Sequence, residues 1–285
     1  MPTPPMPPMS FRRNYFGSMQ NITRVIIETA KEAGKLIFSL VGKTSSRKKG
    51  TSYNLVTQAD MSAEEIILRR LKAAYPDIEV LSEETHSRQS TDTEKLWIID
   101  PLDGTNNFAH TIPQYSVSIA YAEKGEVLAG TVYDPSREEL FSAEKGKGAF
   151  LNGKPITVSS RGSLRDSIIA TGFYYDRGEM MEKTLGSLYR LFKADIQGMR
   201  RMGSAALDLC WTACGRYDGY FEYMLSPWDF AAGSLVVKEA GGRYCDREGN
   251  SSGLSGTGAI CSNGLIHDDL VKLTRYSDYP VPRFD

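Results

Sequence analysis

A chain of 285 residues, 41% hydrophobic and 24% charged, can bury a large core as one domain or as two halves sharing an interface. Lys+Arg 34 against Asp+Glu 35 leave a formal net charge of -1, so there is no global basic field for nucleic acid, and no apolar run is long enough to span a bilayer. Cys210, Cys214, Cys245 and Cys261 show no disulfide framework, which makes a reducing cytoplasm the expected location.

Residues 1–18 begin Met1-Pro2-Thr3-Pro4-Pro5-Met6-Pro7-Pro8-Met9, which suits neither a helix nor a central strand, and no apolar signal-peptide core follows. A disordered extension is expected there, or a true start at Met19. Asn21 can cap a helix whose apolar positions Ile22, Val25, Ile26, Ala30, Ala33, Ile37 and Leu40 keep a helical period. The basic stretch 44–52 reads either as a solvated loop or as a lid that screens an anionic ligand. Asp60 stands before a second helix, from Met61 to about Tyr75, stopped by Pro76.

Residues 78–81 predict a short strand ending at Ser82-Glu83-Glu84, and 96–100 a buried one. Strands at 116–123, 127–134, 139–144 and 148–151, separated by Lys124-Gly125, Asp134-Pro135 and Asn152-Gly153, predict an antiparallel meander. From about Pro155 the pattern is strand (167–171), helix (180–192), helix (204–214), strand (219–223), helix (228–240), strand (258–262) and a closing helix from His267. Residues 249–258, rich in Gly and Ser, read as a hairpin loop. Cys210 and Cys214, one helical turn apart in an apolar helix, read as buried thiols rather than zinc ligands. Sheets interleaved with helix pairs indicate a layered mixed α/β fold. A single unit over 19–285 is expected, with halves of about 19–154 and 155–285.

Chemistry concentrates in Asp100-Pro101-Leu102-Asp103-Gly104-Thr105-Asn106-Asn107-Phe108. Pro101 predicts that the strand stops there, leaving two carboxylates three positions apart in front of a helix start at Thr105. Carboxylates attract hard divalent cations and a helix N-terminus attracts phosphate, so the pairing suggests metal-assisted phosphoryl chemistry. An isolated Asp-x-x-Asp-Gly is equally a turn in which Asp103 caps the next helix. Three more acids stand at similar junctions: Asp60, Glu83 and Asp229 in Ser226-Pro227-Trp228-Asp229-Phe230. Each has a plain alternative, as N-cap, solvated loop acid and third residue of a capping box, respectively. Jointly they fit a magnesium site, with the Thr105 hydroxyl to orient a water and the amides of Gly104 and Thr105 to hold a phosphate oxygen.

The chain resembles the inositol monophosphatase family, the lithium-sensitive, magnesium-dependent sugar phosphatases. The matching stretches are Asn54-Leu55-Val56-Thr57-Gln58-Ala59-Asp60, Ser82-Glu83-Glu84, Asp100 through Phe108, Gly203-Ser204-Ala205-Ala206-Leu207, and Ser226 through Gly233, in the family's order and over nearly everything from Met19 onward. The resemblance implies an αβαβα fold, a homodimer, two or three Mg2+ per site and a small phosphate ester as substrate. It implies that Glu83, Asp100, Asp103, Asp229 and the Leu102 carbonyl are metal ligands. Asp60 and Thr105, with Glu83 nearby, would orient and deprotonate the nucleophilic water. Gly104, Thr105, Gly203, Ser204, Ala205 and Glu222 would border the substrate, Glu222 accepting from a substrate hydroxyl. The implied reaction is in-line attack by a metal-activated water, without a covalent enzyme intermediate.

Thr105-Asn106-Asn107-Phe108 is more similar to the inositol phosphatase branch than to the nucleotide or histidinol phosphate branches. Fructose 1,6-bisphosphate or a nucleotide phosphate is the alternative substrate. A regulatory binding protein on this scaffold, such as a partner of the transcription machinery, is the alternative class. The full acid set favours retained catalysis, because a scaffold freed from catalysis is expected to lose one or more of those acids.

Overall fold

The computed structural model describes the backbone of residues 9–43, 46–48, 55–251 and 253–278, and the side chains of 19–43, 57–251 and 253–278. Helices α1 (Met9–Leu40) and α2 (Gln58–Ala74) flank a small antiparallel pair, β1 (Ser46–Lys48) and β2 (Leu55–Thr57). The rest of the basic stretch read as a possible lid, and Asn54 of the first motif, lie outside the described residues. Ile22, Ile26, Ala30, Ala33 and Ile37 recur at helical spacing along α1 and are all buried, as are Ala59, Ala63, Ile67 and Leu71 of α2.

These two apolar stripes cover one face of a seven-stranded sheet: β3 (Glu79–Ser82), β4 (Lys95–Asp103), β5 (Ser116–Glu123), β6 (Glu126–Asp134), β7 (Glu139–Glu144), β8 (Ala149–Leu151) and β9 (Lys154–Ile156), in that spatial order. β3 and β4 are parallel, and β4 through β9 form the expected meander. Side chains alternate across the sheet. Trp97 and Ile99 face α1 and α2, while Leu96 and Ile98 face a second helix pair, α5 (Ala205–Ala213) and α6 (Pro227–Glu239). A strand covered on both faces reads as an unbroken apolar run, which is why Leu96-Trp97-Ile98-Ile99 does not alternate with polar residues.

Beneath α5 and α6 lies a five-stranded sheet in the order β11 (Gly198–Arg200), β10 (Ile168–Thr171), β12 (Gly219–Glu222), β14 (Ala259–Ser262), β13 (Arg243–Cys245). Ala170, Tyr220 and Cys261 face α5 and α6; Ile169, Phe221 and Ile260 face α4 (Glu179–Lys193) and α7 (His267–Thr274). The result is an αβαβα stack. Small residues let the central helices approach closely. Gly130 on β6 meets backbone rather than a side-chain end, since a Cβ there would lie 2.9 Å from the Ala232 Cα of α6. Gly130→Ala is therefore expected to cost ~1–3 kcal/mol through backbone crowding, seen as a lower urea midpoint at constant m-value. An unchanged midpoint would contradict the close approach.

Several expectations are corrected. α1 starts at Met9, inside the segment expected to be an extension, because no proline follows Pro8 to interrupt it; residues 1–8 lie outside the described residues. Asn21 lies within that helix rather than at its cap, and its side chain donates to the Tyr75 hydroxyl at 2.8 Å. Strand β4 does not stop at Asp100 but continues to Asp103 through a bulge. Three-residue strands such as β11 and β13 were too short to show a period. Cys210 is buried and Cys214 partly so, and burial pushes both thiols up, which leaves them poor nucleophiles. Among the described residues, no helix is long and apolar enough to cross a membrane.

Candidate active site

The site is built around the β4 bulge. Asp100 pairs with Ser118 of β5 and Asp103 with Ser116, so β4 advances three residues while β5 advances two. In a regular strand, residues three apart face opposite sides; the extra residue turns both carboxylates the same way. Pro101, with no N–H to offer the ladder, is tolerated at a bulge, and Asp100 Oδ1 accepts from the Leu102 amide at 3.0 Å. The chain then turns at Gly104, whose φ of +94° suits glycine and where a Cβ would meet the Gln114 carbonyl at 2.8 Å. The short helix α3 (Thr105–Ala109) follows.

Helix N-termini deliver two further acids. Asp60 is the third residue of α2, and its Oδ2 accepts from the Thr57 amide at 2.7 Å and the Thr57 hydroxyl at 2.6 Å. Asp60 Oδ1 is left for the Thr105 hydroxyl, 2.9 Å away; that hydroxyl also lies 3.0 Å from the Leu102 carbonyl, so its single proton has two acceptors. Asp229 is the third residue of α6, and its Oδ2 accepts from the Ser226 amide at 2.7 Å. The capping-box reading of Asp229 holds, whereas Asp60 is not the N-cap expected before Met61: α2 starts at Gln58, Thr57 caps it, and Asp60 is the third residue of the capping box. Each carboxylate uses one oxygen on its own helix start and keeps the other. Asp103 does not cap α3, whose N-cap is Gly104.

Glu83 sits in the turn after β3. That turn is held by Glu64 of α2, whose Oε1 accepts from the Ser82 hydroxyl and, at 3.2 Å, from the Thr85 amide. Asp103 Oδ2 accepts from the Ser204 hydroxyl at 2.6 Å and the Ala206 amide at 2.8 Å, at the start of α5. Asn107 donates to the carbonyls of Gln114 (2.7 Å) and Met202 (2.8 Å), tying α3 to the Gly203 loop. Glu222, at the end of β12, accepts from the Tyr220 hydroxyl at 2.6 Å. It lies against Gly172, where any Cβ would collide with its carboxylate.

A cavity of about 240 Å³ joins these groups. Glu83, Asp100, Leu102, Asp103, Gly104, Thr105, Gly203, Ala205, Glu222 and Asp229 all line it. Asp60 and Ser204 do not: Asp60 stands behind Thr105, and buried Ser204 spends its hydroxyl on Asp103, so its contact is with a ligand-set carboxylate rather than with the cavity. Sequence reasoning missed Glu64, Asn107, Gly172 and the Tyr174–Tyr175 wall of the cavity. A buried Glu on the apolar side of α2 was the available signal for the first; the others act through loop geometry.

Carboxylate oxygens of Asp100, Asp103 and Asp229 lie within 4.8 Å of one another. Burial, then repulsion from Glu83, Asp103 and Asp229, holds the Asp100 carboxyl well above the usual range, and Asp229 is raised in the same way by burial, Glu83 and Asp103. Asp103 is pushed up to about 6 by burial, against the Ser204 and Ala206 hydrogen bonds that favour its anion. Packed oxygen donors that repel one another in a buried place suit a hard divalent cation, which offsets both penalties. Asp60 is raised by burial and restrained by Thr57 and Thr105.

Comparison with known proteins agrees with this geometry. The profile of the inositol monophosphatase family matches residues 18–278. The inositol-1-monophosphatase of Synechocystis sp. is 43% identical over 253 residues, 88% of each chain. The crystal structure of the extragenic suppressor protein suhB from Bartonella henselae superposes with a TM-score of 0.83 at 38% identity, over 90% of this chain and 99% of that one. A structure described as an IMPase/NADP phosphatase complexed with Mg2+ and phosphate gives a TM-score of 0.83 at 26% identity, covering 94% of this chain and 100% of that one. With the layered fold, the clustered acids and these matches in agreement, the chain belongs to the inositol monophosphatase family.

Proposed function

We propose that the chain is a magnesium-dependent phosphoric monoester hydrolase that acts on inositol monophosphate. The observation that carries this reading is the convergence of Asp100, Asp103 and Asp229 beside Thr105, which has Asp60 behind it. Glu83, Asp100, the Leu102 carbonyl, Asp103 and Asp229 would hold two or three Mg2+. Bound there, magnesium would neutralise the ester oxygens, make the attacking water more acidic and stabilise the departing alkoxide. The remaining work belongs to the chain. The Thr105 hydroxyl, donating to Asp60, keeps a lone pair to fix the water in line with the phosphorus, and Asp60 receives the proton through it. Glu83 is the second acceptor near that water. The Gly104 and Thr105 amides hold a phosphate oxygen, and Gly203 and Ala205 border the ring. Ser204 is a positioning residue, acting through Asp103. A homodimer and a cytoplasmic setting accompany this reading.

Glu222 carries the substrate assignment, accepting from a polyol hydroxyl. Its pKa is pushed up to about 7, chiefly by burial, with the Tyr220 hydrogen bond and Arg201 favouring the anion. Because this lies above the unfolded value of 4.5, folding takes up a proton between those pH values, and this group's contribution to stability declines as the pH rises across that window. The better acceptor is the anion, so KM for myo-inositol 1-phosphate is expected to fall as the pH rises through 7. Phosphate release tests the reading across myo-inositol 1-phosphate, 3′-phosphoadenosine 5′-phosphate, NADP and histidinol phosphate. The inositol ester should show the highest kcat/KM, and Glu222→Gln should raise its KM ~10-fold and flatten the pH step. Equal use of the four esters, with KM unmoved in the variant, would remove inositol from the assignment while leaving the phosphatase.

A further inference from the structure

Glu83, Asp100, Asp103, Glu222 and Asp229 line the cavity, and each of these carboxylates is purely an acceptor when ionised. A phosphate brings only further acceptors, so its oxygens need donors. The Thr105 hydroxyl is engaged by Asp60 and the Tyr220 hydroxyl by Glu222. Two phenols, Tyr174 and Tyr175, form part of the wall. They follow β10, where the chain passes so close to the Glu222 carboxylate that Gly172 has no room for a Cβ. Their rings meet at 5.6 Å, but their surroundings differ. Tyr174 is 42% exposed, whereas Tyr175 is half-buried. Asn106, the residue after Thr105, donates to the Tyr175 hydroxyl oxygen in a long hydrogen bond of 3.5 Å. An oxygen that accepts from Asn106 turns its own proton away from it. Burial, then Glu83, Glu222, Asp103 and Asp229, push the Tyr175 hydroxyl up to about 12, so it keeps its proton among these acids.

We propose that Tyr175 is a phosphoryl-binding residue, its hydroxyl donating to a non-bridging oxygen of the ester phosphate held at the bulge acids. The inference deepens the phosphatase reading and rests on it for the place of the phosphate. A donor aimed at an anionic oxygen makes a stronger hydrogen bond than one aimed at a neutral hydroxyl. A phenol does this without adding a cation, whereas a lysine or arginine in its place would pair with Glu83, Asp103 or Asp229 and compete with magnesium for them. The Asn106 contact sets the phenol beside the Gly104–Thr105 turn. The phosphate is then gripped from two sides, by the β4–α3 turn and by the segment after β10. Because the contact is to the phosphoryl group, its effect is independent of the alcohol that leaves.

The test measures inorganic phosphate binding by calorimetry in magnesium. It adds initial rates with myo-inositol 1-phosphate and with glycerol 2-phosphate, which share the phosphoryl group and differ in the alcohol. The natural chain is compared with Tyr175→Phe, which keeps the ring and loses the hydroxyl, and with Asn106→Ala. Tyr175→Phe should weaken phosphate about tenfold or more and lower kcat/KM by a similar factor for both esters, with the magnesium concentration for half-maximal rate unchanged. Asn106→Ala should shift phosphate binding the same way by a smaller factor, since it orients the phenol. Phosphate bound equally by the natural chain and Tyr175→Phe, or a loss of kcat/KM confined to the inositol ester, would overturn the inference and leave the phosphatase reading standing. Tyr175-dependent phosphate binding by a chain that hydrolyses neither ester would support the inference and remove the phosphatase reading.

Discussion

Asp103→Asn is expected to lower kcat by about a thousandfold or more at saturating magnesium, while the protein stays folded. The expectation follows from where Asp103 stands. One oxygen is committed to the Ser204 hydroxyl and the Ala206 amide, so the side chain is fixed in position and only the other oxygen faces the cluster. Asparagine keeps the shape and removes the charge. Asp103 titrates at about 6 in the folded chain against 3.8 as a free group, so folding binds its proton more tightly than the unfolded chain does. The metal-free protein therefore loses stability as the pH rises from about 4 to about 6, and the loss persists above that. The amide variant lacks this group's share of the loss, so its Tm without metal should match or exceed that of the natural chain at pH 7.5 and gain less from added magnesium. Circular dichroism melts and single-turnover rates read both quantities. Appreciable residual kcat would contradict Asp103 as a ligand, and a collapsed Tm would show a structural role instead.

Asp60→Asn is expected to cost about a hundredfold or more in kcat with little change in KM, because Asp60 never reaches the cavity. An amide facing Thr105 donates where a carboxylate accepts. The Thr105 proton then turns to the Leu102 carbonyl, 3.0 Å away, and the hydroxyl no longer presents the same lone pair to a water. Thr105→Val should mimic the loss and Thr105→Ser should keep most of the activity. Some stability is also lost, ~0.5–2 kcal/mol, since Asp60 is half of the capping box that starts α2. Equal falls in kcat for Asp60→Asn and Thr57→Ala would mean that the cap, rather than the Thr105 contact, sets the rate.

The layered order of the fold was readable because long periodic segments dominate it. α1, α2 and the meander show a helical or extended pattern over many residues, and the unbroken run at 96–99 announces a strand covered on both faces. The β4 bulge was not readable: Pro101 signals a break in the ladder, and a bulge that keeps the strand going satisfies it as well as a turn does. That difference matters for function, since only the bulge brings Asp100 and Asp103 to one side. The acids themselves stood out at element junctions, yet spacing could not separate capping from chemistry, because Asp60 and Asp229 do their capping with one oxygen. Ser204 read as a substrate neighbour because the motif places it between Gly203 and Ala205. The geometry turns it inward, since an N-cap hydroxyl points along its own helix start. Glu64 and Asn107 act across 18 and 95 positions of chain, through contacts that no local pattern encodes.

Phosphate release from myo-inositol 1-phosphate should be followed while magnesium is raised from none, in chelator, to saturation, with lithium added at the end. A chain that uses the bulge acids as described releases no phosphate in chelator, turns over as magnesium fills the site, and is suppressed by lithium. Release that persists in chelator, or none at any magnesium concentration, would contradict it.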